Sequence, residues 1–195
     1  MGHPLIVLAS TSRYRRELLG RLHLTFKVEA PLVDEAVLPS ENPRQTALRL
    51  ARDKAVTVAA RFADAVVIGS DQTVDLNGAT LGKPLTHEAA LAQLQALQGR
   101  TAIFHSALAV VGPGAGIQLD SVSTSVTFRT LPVMQLETYL RADLPYDCAG
   151  SAKIESLGIA LIERVESDDP TALIGLPLIR LTSMLAKAGI EVLAR

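Results

Sequence analysis

Apolar residues along the chain follow two rhythms. Leu5 to Ala9 and Ala65 to Ile68 run without alternation, which predicts strands covered on both faces. The second run meets polar residues at Ser70-Asp71, so its strand is expected to end there. That puts a carboxylate at the carboxyl end of a buried strand, where open α/β sheets place their ligands. Asn77-Gly78, between short β-prone segments, predicts a hairpin that swings Lys83 back toward Asp71. Helical spacing predicts helices over residues 13–22, from Pro43 to about Phe62, from Thr86 to Gly99, after Pro132, and from Leu178 to Ala188. Thr25 to Val28 alternates as a strand would. Thr101 to Val111 and the alternating Val122, Thr124, Val126 and Phe128 predict a long antiparallel pair turned through the glycines at 112–116, and a further strand is expected over Ile159 to Ile162. The expected architecture is α/β, with two lobes around a cleft rather than two separable domains.

Several polar positions break these patterns. Ser10-Thr11-Ser12 lies between a strand and a helix N-terminus, where free backbone N–H groups and the helix dipole favour an anion. Arg15 and Arg16 stand in that helix's first turn, where the dipole disfavours cations unless a bound anion reverses the balance. The other reading is an ordinary helix with solvated arginines. Lys54 falls inside the apolar arc formed by Ala47, Leu48, Leu50, Ala51, Ala55, Val58 and Phe62. Burial there is costly unless the ammonium meets a partner or ligand, or snorkels to water. Asp34 and Glu35 are adjacent, so on extended backbone only one can enter a shared site, and Glu35 is preferred. Lys153 and Glu155 face the same way if their loop is extended. Cys148 has no histidine close in sequence and reads as packing rather than as a nucleophile.

At 195 residues and 48% hydrophobic content, the chain can bury a substantial core as one α/β domain over 1–195. Net charge is −1, from 19 basic and 20 acidic residues without long blocks, which leaves no basic face for nucleic acid. A single cysteine excludes an internal disulfide and fits a reducing cytoplasm, and no Cys/His zinc spacing occurs. The apolar start is too short for a signal core or a membrane span, so neither targeting nor a membrane partner is expected. Several cations with carboxylates and no histidine suit a polyphosphate and a hard metal, Mg²⁺ or Mn²⁺, held by Asp71 and Glu35. No Walker pattern is present, so the chain is not a P-loop enzyme. Hydrolysis of a nucleoside triphosphate follows as the leading hypothesis.

The motifs in order are Leu-Ala-Ser-Thr-Ser at 8–12, Tyr14-Arg15-Arg16, Val33-Asp34-Glu35, Arg49-Leu50-Ala51 with Lys54-Ala55, Gly69-Ser70-Asp71-Gln72, Gly82-Lys83-Pro84, Ala149-Gly150-Ser151 with Lys153 and Glu155, and Gly-Leu-Pro at 175–177. Together, over nearly the whole chain, they resemble the Maf nucleotide pyrophosphatases. Gln72 and the Cys-Ala-Gly-Ser loop look like the YceF-type branch. A Ser-Glu-Gly run is expected in the late loop, where this sequence reads Ile154-Glu155-Ser156.

The resemblance implies a mixed, elongated sheet with flanking helices, shared with inosine-triphosphatase-like enzymes, together with a divalent metal and a homodimer. It implies hydrolysis of 7-methyl-GTP to 7-methyl-GMP and pyrophosphate, by water attack at the α-phosphorus with Asp71 as proton acceptor. Asp71, Glu35, Lys54 and Lys83 would form the catalytic set, Ser10, Arg15 and Arg16 would bind phosphate, and Tyr14, Gln72 and Glu155 would set base specificity. Chemistry agrees for two of these, since a methylated guanine is cationic and suits an aromatic face such as Tyr14, and a carboxylate such as Glu155 accepts from guanine's donor edge. The alternatives are a pyrophosphatase for dTTP and UTP or of broad specificity, and, in another class, a nucleotide-binding regulator of cell division.

Overall fold

The computed structural model describes residues 4–114 and 116–194. One seven-stranded sheet runs through it, in the order β2-β1-β3-β5-β6-β7 with β4 paired to β3. Its strands are β1 (Ile6–Ala9), β2 (Phe26–Glu29), β3 (Val66–Leu76), β4 (Ala79–Leu81), β5 (Thr101–Gly112), β6 (Gly116–Phe128) and β7 (Ile162–Ser167). β1 is parallel to both β2 and β3, and every other pairing is antiparallel. The helices are α1 (Arg13–Gly20), α2 (Pro43–Ala59), α3 (His87–Leu97), α4 (Val133–Asp143) and α5 (Leu178–Lys187). None of the described helices is long and apolar enough to cross a membrane.

Alternation along β1 and β3 sorts the packing. Ile6, Leu8, Val66 and Ile68 face α1 and α5, meeting Leu18, Leu19, Leu181 and Leu185. Val7, Ala9 and Val67 face α2, whose inner surface is Ala47, Ala51, Ala55 and Val58. Further along β3, Val74 and Leu76 join Phe104, Val126 and Phe128 under α3 and α4 in a separate core. The two lobes therefore share their long strands. One lobe carries helices on both sheet faces, and the other packs α3 and α4 against Val74 and Leu76, which lie on the α1 side of β3.

β3 does not stop where its polar residues begin. It runs eleven residues through Ser70, Asp71 and Gln72, fully paired with β5 along this stretch. It is β1 that stops, at Ala9 opposite Gly69, which leaves β3's other edge open from Ser70 onward. Backbone satisfaction by β5 is what lets a polar segment remain strand. The Asn77-Gly78 hairpin forms as expected, with both residues at positive φ. α1 ends at Gly20 rather than Leu22, and α2 at Ala59 rather than Phe62. The strand expected at 159–162 is instead a short 3₁₀ helix, Leu157–Leu161, and β7 begins only at Ile162.

Gly69 sets the distance between α2 and the sheet. A Cβ there would overlap the Ala51 carbonyl oxygen and lie 2.7 Å from the Ala55 amide nitrogen. Gly69→Ala should therefore lower the free energy of unfolding by about 1–3 kcal/mol through overpacking, read as a drop in the denaturant midpoint. An unchanged midpoint would contradict this close approach.

Candidate active site

The open edge of β3 creates the site. Asp71 projects toward α2, just past the end of β1, and is 7% exposed. Lys54, on the inner face of α2 and 5% exposed, places its Nζ 2.7 Å from Asp71 Oδ1 and 2.6 Å from Glu35 Oε1. Glu35 comes from the loop between β2 and α2. Thus Lys54 does not snorkel to water: its ammonium is buried between two carboxylates that lie far apart in sequence. Burial pushes the Glu35 carboxyl up, yet the hydrogen bond and charge of Lys54, with the charges of Lys83 and Arg15, carry it below its ordinary value. Lys83 is itself exposed, and it acts on the cluster through charge rather than a direct bond.

Arg15 reaches the same place from α1, on the other face of the sheet. Burial lowers its pKa, partly offset by the charges of Asp71 and Glu35. Its Nε donates to the Gly175 carbonyl at 3.0 Å, and the Ser70 hydroxyl donates to the same oxygen at 3.0 Å. Ser10 is buried, and its Oγ accepts from the Ser12 amide at 3.1 Å. Ser12 is the residue that caps α1, accepting from the Arg15 amide. Arg16 is exposed, and its guanidinium has no hydrogen-bond or ion-pair partner among the described residues. Of the expected phosphate ligands, Ser10 and Arg15 are positioned by the fold, while Arg16 is presented to solvent.

Tyr14 and Glu155 line the same cavity between the lobes. A cavity of about 550 Å³ is lined by Arg13, Tyr14, Glu17 and Arg21 of α1, and by Asp143, Lys153, Glu155 and Ser156 of the other lobe. The loop carrying Glu155 is curled rather than extended. Asp143 accepts from the Ser156 hydroxyl and the Gly158 amide, and Lys153 Nζ donates to the Asp143 and Leu144 carbonyls that end α4. Lys153 and Glu155 line the same cavity because of this curl and not because of strand alternation. Arg13 lies over the Tyr14 ring, Cζ 4.7 Å from the centroid, and donates to the Tyr14 hydroxyl at 3.0 Å.

Gln72 lies away from Tyr14 and Glu155. Adjacent to Asp71 on a regular strand, it faces the opposite side and lines neither that cavity nor the smaller one beside it. Its Nε2 lies 2.8 Å from Ser106 Oγ and 3.1 Å from each of the Ala172 and Leu173 carbonyl oxygens. Gln72 therefore anchors the segment leading to Gly175, and Leu173 and Ile174 of that segment line the smaller, largely apolar cavity of about 220 Å³ that shares Glu155.

Sequence reasoning missed Asp169. It is 1% exposed, and it accepts from the amides of Thr171 and Ile179 and from the Thr171 hydroxyl. This carboxylate ties the segment around Gly175 to the start of α5. Nothing in its local sequence separates it from the neighbouring, exposed Asp168.

Known proteins are similar along nearly the whole chain. A family model described as "Maf-like protein" matches residues 5–188. A protein of Polaromonas sp. named 7-methyl-GTP pyrophosphatase is 57% identical over 190 residues, 97% of this chain and 87% of that one. A protein of Cupriavidus metallidurans with the same name is 57% identical over 187 residues, covering 95% and 94%. Among solved structures, a HAM1 protein from Coxiella burnetii overlaps 67% of this chain and 75% of its own, at 20% identity and a TM-score of 0.46. With the family model spanning both lobes and every residue of the Lys54 cluster, the chain belongs to the Maf family.

Proposed function

We propose that the protein is a nucleoside triphosphate pyrophosphatase acting on 7-methyl-GTP, releasing 7-methyl-GMP and pyrophosphate. The observation that carries this reading is the buried Lys54 ammonium between Asp71 and Glu35; a cavity lined by Tyr14 and Glu155 lies between the lobes. The relatives named for this reaction support the choice of substrate.

Binding would begin with charge. The triphosphate lies toward Arg15, Lys54 and Lys83, whose positive charge offsets that of the departing pyrophosphate. The base enters the cavity between α1 and the curled loop, its cationic ring against Tyr14 and its donor edge toward Glu155. Asp71 Oδ2 has no hydrogen-bond partner among the described residues, which supports the reading that it accepts a proton from water as the water oxygen attacks the α-phosphorus and the bond to the bridging oxygen breaks. Two converging carboxylates also fit a hard divalent cation, which is commonly held by one or two carboxylates with phosphate oxygens and water. Asp71 and Glu35 would hold it, and when bound it supplies positive charge to the phosphates.

Cys148 takes no part in this reading. Burial, with the nearby Asp147 charge, pushes its thiol up to about 12, so almost none is thiolate near neutrality.

Pyrophosphate release from 7-methyl-GTP, GTP, UTP and dTTP, with Mg²⁺ or Mn²⁺, tests the assignment. The methylated nucleotide should give the highest kcat/KM, and Asp71→Asn should lower kcat by about 10²–10⁴-fold. Preference for UTP or dTTP would overturn the roles given to Tyr14 and Glu155. Gln72→Ala leaves the Leu173 carbonyl without its donor, while Ala172 keeps the Ser106 hydroxyl and the Gly175 amide, and should cost about 1–3 kcal/mol of stability in denaturant titration; full retention would place the amide elsewhere. Cys148→Ser should keep wild-type turnover, and the native thiol should alkylate at pH 7.5 far more slowly than free cysteine. Rapid modification with loss of activity would contradict its protonated state.

A further inference from the structure

The same point in space is claimed twice. Lys54 Nζ lies within 2.7 Å of one oxygen from each of Asp71 and Glu35, the two carboxylates that would hold a metal. A divalent cation bonded to both would need those oxygens at about 2.0–2.1 Å for Mg²⁺. It would then stand beside an ammonium that is 5% exposed and cannot dilute its charge in water. Two carboxylates around a lysine are also few ligands: among the described residues there is no group of three or more histidine, cysteine, aspartate or glutamate side chains that could hold a metal. The missing ligands must come from elsewhere, and in the proposed reaction the substrate's phosphates are the oxygen donors at hand.

We infer that Lys54 is an internal counter-cation that keeps the metal position closed in the free protein, so that the divalent ion binds together with the triphosphate. Phosphate oxygens do two things at once: they complete the metal's ligand set, and they give the Lys54 ammonium a new anionic partner as it leaves the carboxylates. The exchange conserves pairing throughout, since neither carboxylate is left unpaired when the lysine moves and the lysine is never buried without an anion. Metal and nucleotide then bind with positive coupling, each raising the other's affinity by the same factor. Removal of the lysine charge should open the metal position without any nucleotide.

This inference rests on the proposed metal-assisted reaction, and it is read without turnover. Mn²⁺ binding is measured by the loss of the free-ion EPR signal, with wild type, Lys54→Met and Lys54→Gln. Each is titrated alone and with a 7-methyl-GTP analogue carrying a methylene group in place of the α–β bridging oxygen. Wild type alone should bind Mn²⁺ about tenfold or more weakly than it does with the analogue, within the usual range of coupling between sites. Lys54→Met without nucleotide should bind Mn²⁺ about tenfold or more tightly than wild type without nucleotide, and adding Asp71→Asn should abolish that gain. Should Lys54→Met fail to fold by its melting curve, Lys54→Gln is judged by the same comparison. Equal Mn²⁺ affinity of folded Lys54 variants and wild type would overturn the inference, as would wild type binding Mn²⁺ equally well with and without the analogue. Failure of the substrate assignment shows separately, as absent analogue binding or absent 7-methyl-GTP cleavage, while the comparison of variants without nucleotide still stands.

Discussion

A lysine on the packed face of a helix is the constraint from which the site follows. Lys54 lies among Ala47, Leu50, Ala51, Ala55 and Val58, all of which are buried. An ammonium held there without partners would cost several kcal/mol. The fold meets that cost with Asp71 from the central strand and Glu35 from the loop beyond β2, a two-sided contact that joins α2, β3 and residues 30–41. Gly69 makes the contact possible, because only a residue without a Cβ lets α2 approach β3 closely enough at this level.

The second requirement is an opening, and an early end to one strand provides it. Since β1 stops at Ala9 while β3 continues to Leu76, the sheet has a notch where its two faces communicate. Lys54 approaches from the α2 side and Arg15 from the α1 side, and Arg15 is steadied by the Gly175 carbonyl that it shares with Ser70. Gln72 and Asp169 hold the segment bearing that carbonyl. Neighbouring residues of one helix thus face two different places, with Arg15 turned inward and Tyr14 lining the cavity between the lobes.

The opposite wall belongs to the other lobe. Asp143 at the end of α4 draws in Ser156 and Gly158, and Gly158 has no room for a side chain beside Lys153. This curl puts Glu155 at the rim of both cavities. Distance between the walls is set by the long strands β3, β5 and β6, so the cleft is built into the sheet.

Much of this was legible without coordinates. Unbroken apolar runs marked the buried parallel strands, Asn77-Gly78 marked its hairpin, and Lys54 stood out because helical periodicity is strict enough to expose one charge on an apolar arc. The family motifs pointed to Asp71, Glu35, Lys83 and Tyr14 because the residue types themselves carry the chemistry. What local pattern could not supply were facts about neighbours. Whether β3 ends at Asp71 depends on β5 satisfying its backbone, and which way Gln72 faces depends on that strand continuing. Asp169 looks like any turn aspartate until α5 folds over it. Sequence by itself determined most of the elements and the candidate groups, because periodicity and side-chain chemistry are local properties. Only the tertiary structure decided which of those groups meet, because pairing across a sheet and burial between layers are set by residues distant along the chain.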